Sequence, residues 1–161
     1  MKRLLIIVLL AGVSLATICP TVLAQGDYLI IPGKRIGSFV LGMSRDDAVR
    51  ILGRPTDIVG DPNHPEIGQT CFWGTKNFNI SFSGVPEVQA KSIVSSDQQY
   101  ATAEGVRVGS SGSDVVRAYG REYERVQGKG VVFVIYRKLG LQFMISETNN
   151  SVLWIAVQVP N

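Results

Sequence analysis

The chain of 161 residues contains 16 basic and 13 acidic side chains, two cysteines and one histidine, and its formal net charge is +3. Residues 1–24 hold two of the basic side chains and no acidic one, so residues 25–161 carry 14 basic against 13 acidic side chains, a net charge of +1. Nucleic-acid binding requires a clustered positive field and a disulfide requires two cysteines, so we expect no nucleic-acid partner and, because Cys71 is the only cysteine of residues 25–161, no internal disulfide.

Residues 1–24 have the form of a secretory signal peptide. A basic start is followed by an apolar run over residues 4–18, and the segment ends on Val22-Leu23-Ala24, which offers the aliphatic and small side chains that signal peptidase reads. The run is shorter than the ~20 apolar residues needed to cross a bilayer, and a bulky isoleucine precedes Cys19, where a lipid-modified cysteine would need a small neighbour. We predict cleavage after residue 24, a periplasmic or extracellular location, and no stable membrane anchor after cleavage.

A stretch at residues 42–55 returns in diverged form at residues 109–121. The two stretches share a Gly, a Ser, an Asp, a Val, an Arg, a closing Gly and a following Arg, all at a constant offset of 67 residues. Residues 25–161 also suffice for one domain with a proper core. We therefore predict a single domain over residues 25–161, built of two tandem repeats at about 34–98 and 101–161.

Each of the two stretches predicts a short helix, over residues 44–53 and 111–120. Ser44 and Ser111 are suited to the N-cap position, because a serine hydroxyl can accept a hydrogen bond from the backbone N–H three residues on. Acidic residues follow in each first turn, where they complement the helix dipole. A glycine closes each helix, because glycine readily adopts the positive φ at which many helices end.

The remaining pattern predicts β-strands. Residues 78–83 alternate between apolar and polar side chains, which indicates a strand with one buried and one wet face, and residues 141–145 carry the matching apolar positions. Other predicted strands cover residues 70–74, 88–94, 131–137, 139–146 and 151–157. The fold predicted from these elements is α+β: two tandem α-β-β-β repeats, with the helices packed on one face of an antiparallel sheet.

The second repeat differs from the first on the other face of the predicted sheet. Where the first has Asn79 and Ser81, the second has Gln142 and Met144, and its strands at residues 131–136 and 152–157 are apolar at nearly every position. An apolar second face must either be covered by another part of the chain or serve as an interaction surface. Both alternatives remain open from the sequence.

A motif of the first repeat runs Ile36-Gly37-Ser38-Phe39-Val40-Leu41-Gly42-Met43-Ser44 and continues with Asp47, Val49, Leu52-Gly53 and Pro55. It resembles the motif of bacterial envelope modules of the small-protein-A type, which include the BamE component of the outer-membrane assembly machine and the tandem-repeat beta-lactamase inhibitor proteins. The resemblance implies helices on one face of an antiparallel sheet whose other face, often concave and aromatic, grips a partner protein.

Two groups of residues could carry chemistry instead. His64 and Cys71 lie seven residues apart and could form a nucleophile–base pair, but no third residue orients His64, and a thiol beside Phe72 and Trp73 is typical of a buried, inert cysteine. Oxygen and nitrogen ligands suited to a divalent ion also occur in the loop of His64, at Asp61, Asn63, His64 and Glu66. Two prolines in this loop favour a rigid turn over a metal site. From these two arguments we predict no enzyme, no metal and no cofactor, and His64 is kept as a loop residue of interest.

Basic side chains also recur at a spacing of four residues. Arg50 and Arg54 form one such row, and Arg117, Arg121 and Arg125 form a second. Cations near the end of a helix complement its dipole, and this structural interpretation is favoured. The alternative is a binding stripe for acidic partners or lipid head groups.

The function predicted from the sequence is that of a secreted or periplasmic, non-catalytic protein-binding module. Trp73, Tyr136, Met144 and Trp154 are the predicted partner-binding residues, on the sheet face opposite the helices, because large aromatic side chains supply much of the binding energy at protein interfaces. The alternative is a carrier of an apolar ligand such as a lipid or hydrophobic peptide. A homodimer through the same face and, less favoured, a hydrolase built on Cys71 and His64 are the remaining alternatives.

Overall fold

The computed structural model describes residues 27–61 and 63–161, so the predicted signal peptide lies outside the described residues. The strands are β1 (Leu29–Ile31), β2 (Arg35–Ile36), β3 (Phe39–Val40), β4 (Asp57–Gly60), β5 (Gln69–Trp73), β6 (Phe78–Ser83), β7 (Gln89–Ser95), β8 (Ala101–Thr102), β9 (Glu124–Gln127), β10 (Val131–Tyr136), β11 (Leu141–Ser146) and β12 (Val152–Gln158). The two α-helices of this part of the chain are α1 (Arg45–Leu52) and α2 (Gly112–Tyr119).

The strands form two sheets. The larger has eight strands in the order β4-β5-β6-β7-β12-β11-β10-β9 and is antiparallel throughout. Its two halves meet at the centre, where β7 pairs with β12, and we call β4 to β7 the first half-sheet and β9 to β12 the second. The smaller sheet has four short strands in the order β3-β2-β1-β8.

The predicted fold class, an α+β fold of two tandem α-β-β-β repeats with helices on one face of an antiparallel sheet, is wrong. The described part of the chain is mostly β, with 43% of its residues in strands and 16% in helices, and the strands divide between two sheets. Two kinds of strand are invisible in the sequence pattern. The edge strands β4 and β9 are exposed at every position, so no apolar alternation indicates them. The strands of the small sheet are only two or three residues long.

Both helices begin at the predicted serines. Ser44 and Ser111 each accept a hydrogen bond from the N–H three residues on, and in α2 the side chain of Asp114 also accepts from the N–H of Ser111, which completes a capping box. Each helix ends at a glycine whose φ is about 80°, a conformation that other residues rarely adopt. With eight residues each, the helices fully bury one side chain apiece, Ala48 in α1 and Val115 in α2.

The large sheet has one buried and one open face. In β5, β6, β10 and β11, buried residues alternate strictly with half-buried ones, as expected when only one face is covered. The buried face carries the core side chains Ile80, Leu141 and Phe143, and the small sheet packs on this side, where the rings of Phe39 and Phe78 are 4.6 Å apart. We call it the core face and the opposite one the open face.

Candidate partner-binding surfaces

Two of the four predicted contact residues lie in the core. Trp73 is 1% exposed and Tyr136 is 3% exposed. The indole Nε1 of Trp73 donates to the carbonyl oxygen of Gly53 at 2.8 Å, and the hydroxyl of Tyr136 donates to the carbonyl oxygen of Gly120 at 2.9 Å. Each side chain therefore donates a hydrogen bond to the carbonyl oxygen of the residue that follows a helix. The prediction that Trp73 and Tyr136 lie on the face opposite the helices is wrong.

The other two predicted contact residues lie on the open face. Met144 pairs with Trp154 on one side and with Phe133 on the other, and Phe133 pairs with Val126 at the sheet edge. The rings of Phe133 and Trp154 approach to 5.9 Å between centroids. We call Val126, Phe133, Met144 and Trp154 the apolar row. Its three inner members are half-buried, and among the described residues none of the four belongs to the hydrophobic core or packs against it.

Phe133 is a member of this row that the sequence did not indicate. Strand β10 reads Val-Val-Phe-Val-Ile-Tyr, so it is apolar at both parities and offers no alternation from which to assign a face. Tyr136 stands three residues from Phe133 and therefore points to the opposite face. The pairing of Phe133 with Met144, which only the structure gives, assigns Phe133 to the open face.

The same face of the first half-sheet is mostly polar. Thr70, Ser81 and Ser92 pair across three strands, and the hydroxyls of Thr70 and Ser81 are 2.9 Å apart. Apolar side chains on this face include Val59, which pairs with Thr70 from the edge strand β4 and is 58% exposed, and Phe72, which together with Trp154 lines a pocket of about 140 Å³. The open face is therefore mostly polar in the first half-sheet and carries the apolar row in the second.

A second concave feature lies on the core side, between α2 and the outer strands of the second half-sheet. This groove, with a volume of about 1050 Å³, is lined by side chains of α2, β9, β10 and β11 and of the segments next to them. Three arginines line it, Arg117, Arg121 and Arg125, and with Val116, Tyr123, Val132, Val134 and Ile145 it has an apolar floor. The sequence indicates the row of three arginines, but it does not indicate the groove that they line.

A chain of hydrogen bonds crosses the corresponding space in the first half-sheet. Arg45, the residue after the N-cap of α1, donates from Nη1 to Oε1 of Gln69 at 3.1 Å, and Nε2 of Gln69 donates to the carbonyl oxygen of Asp61 at 3.0 Å. Gln69 is only 3% exposed. In the second half-sheet the residue after the N-cap is Gly112, and Val132 stands four residues before Tyr136 as Gln69 does before Trp73. The second half-sheet therefore has no counterpart of the Arg45–Gln69 hydrogen bond.

His64 and Cys71 are in different environments. Nδ1 of His64 lies 3.1 Å from a carboxylate oxygen of Glu66, and both side chains are partly exposed. Cys71 is fully buried in β5. Burial raises the pKa of the Cys71 thiol, an effect that the positive charge of Arg45 opposes only in part. A thiol in this state is mostly protonated at neutral pH and is a poor nucleophile.

The described residues also bear on metal and membrane binding. Within residues 27–61 and 63–161, no group of three or more His, Cys, Asp or Glu side chains is placed to hold a metal ion. Neither α1 nor α2 is long and apolar enough to cross a membrane.

Comparisons with known proteins identify no family for this chain. No protein-family model matches it, and a comparison with curated proteins also finds no match. Distantly similar solved structures include an extracellular protein containing an SCP domain from Bacillus anthracis, with 9% identity over 74% of this chain and 44% of that chain and a TM-score of 0.48. A DUF4309 family protein from Bacillus subtilis has 15% identity over 72% of this chain and 78% of that chain and a TM-score of 0.45. A cysteine-rich secretory protein from Staphylococcus aureus has 10% identity over 80% of this chain and 47% of that chain and a TM-score of 0.47.

The matches are partial in length as well as weak. The chain spans less than half the length of the Bacillus anthracis and Staphylococcus aureus proteins. With TM-scores below 0.5, these similarities carry no argument about the function of this chain. None of the three is a BamE-like or beta-lactamase-inhibitor-like module, and that resemblance remains a prediction.

Proposed function

We propose that the protein is a secreted, non-catalytic protein-binding module that contacts its partner through the apolar row. The observation that supports the proposal is the position of Phe133, Met144 and Trp154, half-buried side by side on the open face and outside the hydrophobic core. Contiguous exposed apolar surface is characteristic of interaction sites. Within such sites, large aromatic side chains act as anchors because they bury much area at little conformational cost.

The other parts of the proposal have separate support. Secretion is inferred from the signal-like pattern of residues 1–24. The absence of catalysis is inferred from Cys71, the residue that could have been the nucleophile: its thiol is buried, and burial raises its pKa. Labelling with iodoacetamide near neutral pH tests this part, because a reactive thiolate would label faster in the folded protein than in an unfolded control.

The direct test is affinity capture from the native extracellular or envelope fraction. We expect wild type to retain a partner that the double variant Phe133→Ala/Trp154→Ala does not retain. The matched control is Thr70→Ala/Ser81→Ala, which truncates two side chains on the same face of the first half-sheet. Equal retention by wild type and the Phe133 and Trp154 variant, with both folded by circular dichroism, would contradict the proposal.

The alternative of an apolar-ligand carrier has less support. The pocket at Phe72 and Trp154 has a volume of about 140 Å³, whereas sites for small molecules are typically ~300–1,000 Å³. Extraction and mass spectrometry of the purified protein would reveal a retained lipid and so favour the carrier. Gel filtration with light scattering addresses the remaining alternative, a homodimer through the apolar row.

A further inference from the structure

The groove beside α2 has an excess of positive charge. Arg117, Arg121 and Arg125 line it together with a single acidic side chain, Glu147. Arg117 is paired with Asp114 at 2.7 Å. Within the described part of the chain, neither Arg121 nor Arg125 has a carboxylate within 4.0 Å. The groove therefore presents two guanidinium groups without an acidic partner, and a guanidinium binds a carboxylate through two parallel hydrogen bonds.

The floor of the groove is apolar. Val132, Val134 and Ile145 reach it from β10 and β11, and each is between 5% and 8% exposed. Such small exposed areas can contact short apolar side chains. Val116 and Tyr123, which also line the floor, are half-buried.

The groove has a defined end. The backbone N–H of Gly112 donates to the carbonyl oxygen of Asn150 at 3.0 Å, which joins the start of α2 to the turn between β11 and β12. A Cβ atom at position 112 would lie 2.6 Å from Oδ1 of Asn150. Glycine at this position therefore allows the turn to approach the helix, and no side chain projects from it into the groove as Arg45 projects toward Gln69 in the first half-sheet.

We propose that this groove binds an extended acidic peptide segment of a protein partner. The charge of Arg121 and Arg125 selects carboxylates, and the apolar floor at Val132, Val134 and Ile145 accepts apolar side chains between them. An extended chain matches this arrangement because its side chains alternate in direction, so that acidic and apolar residues can face different walls. The groove lies on the core side of the second half-sheet, so it is a surface separate from the apolar row.

The test uses fluorescence anisotropy with a fluorescein-labelled peptide of alternating Glu and Val residues. The double variant Arg121→Gln/Arg125→Gln is expected to bind this peptide about tenfold more weakly than wild type, since two charge-assisted hydrogen-bonding groups are lost. The matched control is Arg50→Gln/Arg54→Gln, which removes the same charge beside α1, where the Arg45–Gln69 hydrogen bond crosses the corresponding space. We expect the affinity of this control to be within about twofold of wild type. A Lys and Val peptide is expected not to bind.

Three outcomes would overturn the proposal. Equal weakening in the two double variants would mean that only net charge attracts the peptide. No binding of the Glu and Val peptide by folded wild type would exclude an acidic segment, and tighter binding to oleate or to anionic vesicles than to the peptide would assign the groove to lipid. A measurement on wild type alone adds a check that needs no variant: affinity must fall when the ionic strength rises from about 0.05 M to about 0.5 M.

Discussion

The two halves of the eight-stranded sheet have the same strand order from centre to edge but differ on both faces. On the core side, a hydrogen bond between Arg45 and Gln69 crosses the space between helix and outer strands in the first half-sheet, and Gly112 and Val132 line an open groove in the second. On the open face, the first half-sheet is mostly polar and the second carries the apolar row. Both candidate binding surfaces therefore lie in the second half-sheet.

The comparison separates side chains that hold the fold from those available for binding. Trp73 and Tyr136 occupy matching places, each bonded to the carbonyl oxygen that follows a helix, and both are buried. These are features that the halves share, and they explain stability. Among the features that differ, Gln69 is buried and hydrogen-bonded to Arg45, whereas the apolar row and the groove arginines Arg121 and Arg125 are half-buried or exposed. We therefore expect the shared features and the Arg45–Gln69 contact to be structural, and the apolar row and the two arginines to be functional.

The largest effect is expected from truncating a shared residue. Trp73→Ala should lower the free energy of unfolding by about 3–5 kcal/mol, because it leaves a cavity in the core and removes the hydrogen bond to Gly53. Trp154→Ala should cost less than about 2 kcal/mol, because its ring is already partly in water. Urea denaturation of both variants measures the difference. Equal losses would mean that Trp154 is a core residue and would contradict its role as an anchor.

An intermediate effect is expected from making the first half-sheet resemble the second. Gln69→Val removes the acceptor of Arg45 and the donor to the Asp61 carbonyl, so we expect a loss of about 1–3 kcal/mol in the free energy of unfolding. The reverse change, Val132→Gln, adds a polar group that has no arginine at position 112 to meet it and should also destabilise. If Gln69→Val were neutral in chemical denaturation, the Arg45–Gln69 contact would not be structural.

The smallest effect concerns the hydroxyl of Tyr136. Tyr136→Phe should cost about 1 kcal/mol at neutral pH, the usual net value of one hydrogen bond. Burial, with a lesser contribution from Tyr123, raises the pKa of Tyr136 to about 12. The folded state therefore favours the neutral phenol of Tyr136. The stability that this neutral phenol contributes is fully present below pH 10 and is lost as the pH rises toward about 12.

The pH dependence provides the control for Tyr136→Phe. Unfolding of wild type followed from pH 9 to about pH 12 should show a falling free energy, and the fall should be smaller in the variant. Some alkaline dependence will remain, because burial also raises the pKa of Tyr119, which donates to Glu104. An identical pH profile in wild type and variant would show that Tyr136 ionises as freely in the folded state as in the unfolded one.

The sequence was sufficient to predict features that depend on local chemistry. The N-caps Ser44 and Ser111 follow from hydrogen bonding within one helical turn, and the structure confirms both. The strand at residues 78–83 follows from its alternation and is confirmed as β6. These predictions succeeded because the residues that specify each element lie inside it.

Features that depend on pairing between distant segments were not predictable. Strands β4 and β9 are exposed along their whole length and are strands only because β5 and β10 lie beside them. The small sheet joins β1 to β8, which are about 70 residues apart in the chain. The face assignment of Tyr136 failed for the same reason, since β10 is apolar at both parities and only its register with β11 assigns the faces.

The most direct test of the central claim is hydroxyl-radical footprinting of Met144, Trp154 and Trp73, read by mass spectrometry. The purified protein alone should be oxidised at Met144 and Trp154 and spared at Trp73, which is buried. In the native extracellular or envelope fraction, oxidation of Met144 and Trp154 should fall while Trp73 stays unchanged. Oxidation of Met144 and Trp154 to the same extent with and without that fraction would contradict a partner-binding role for the apolar row.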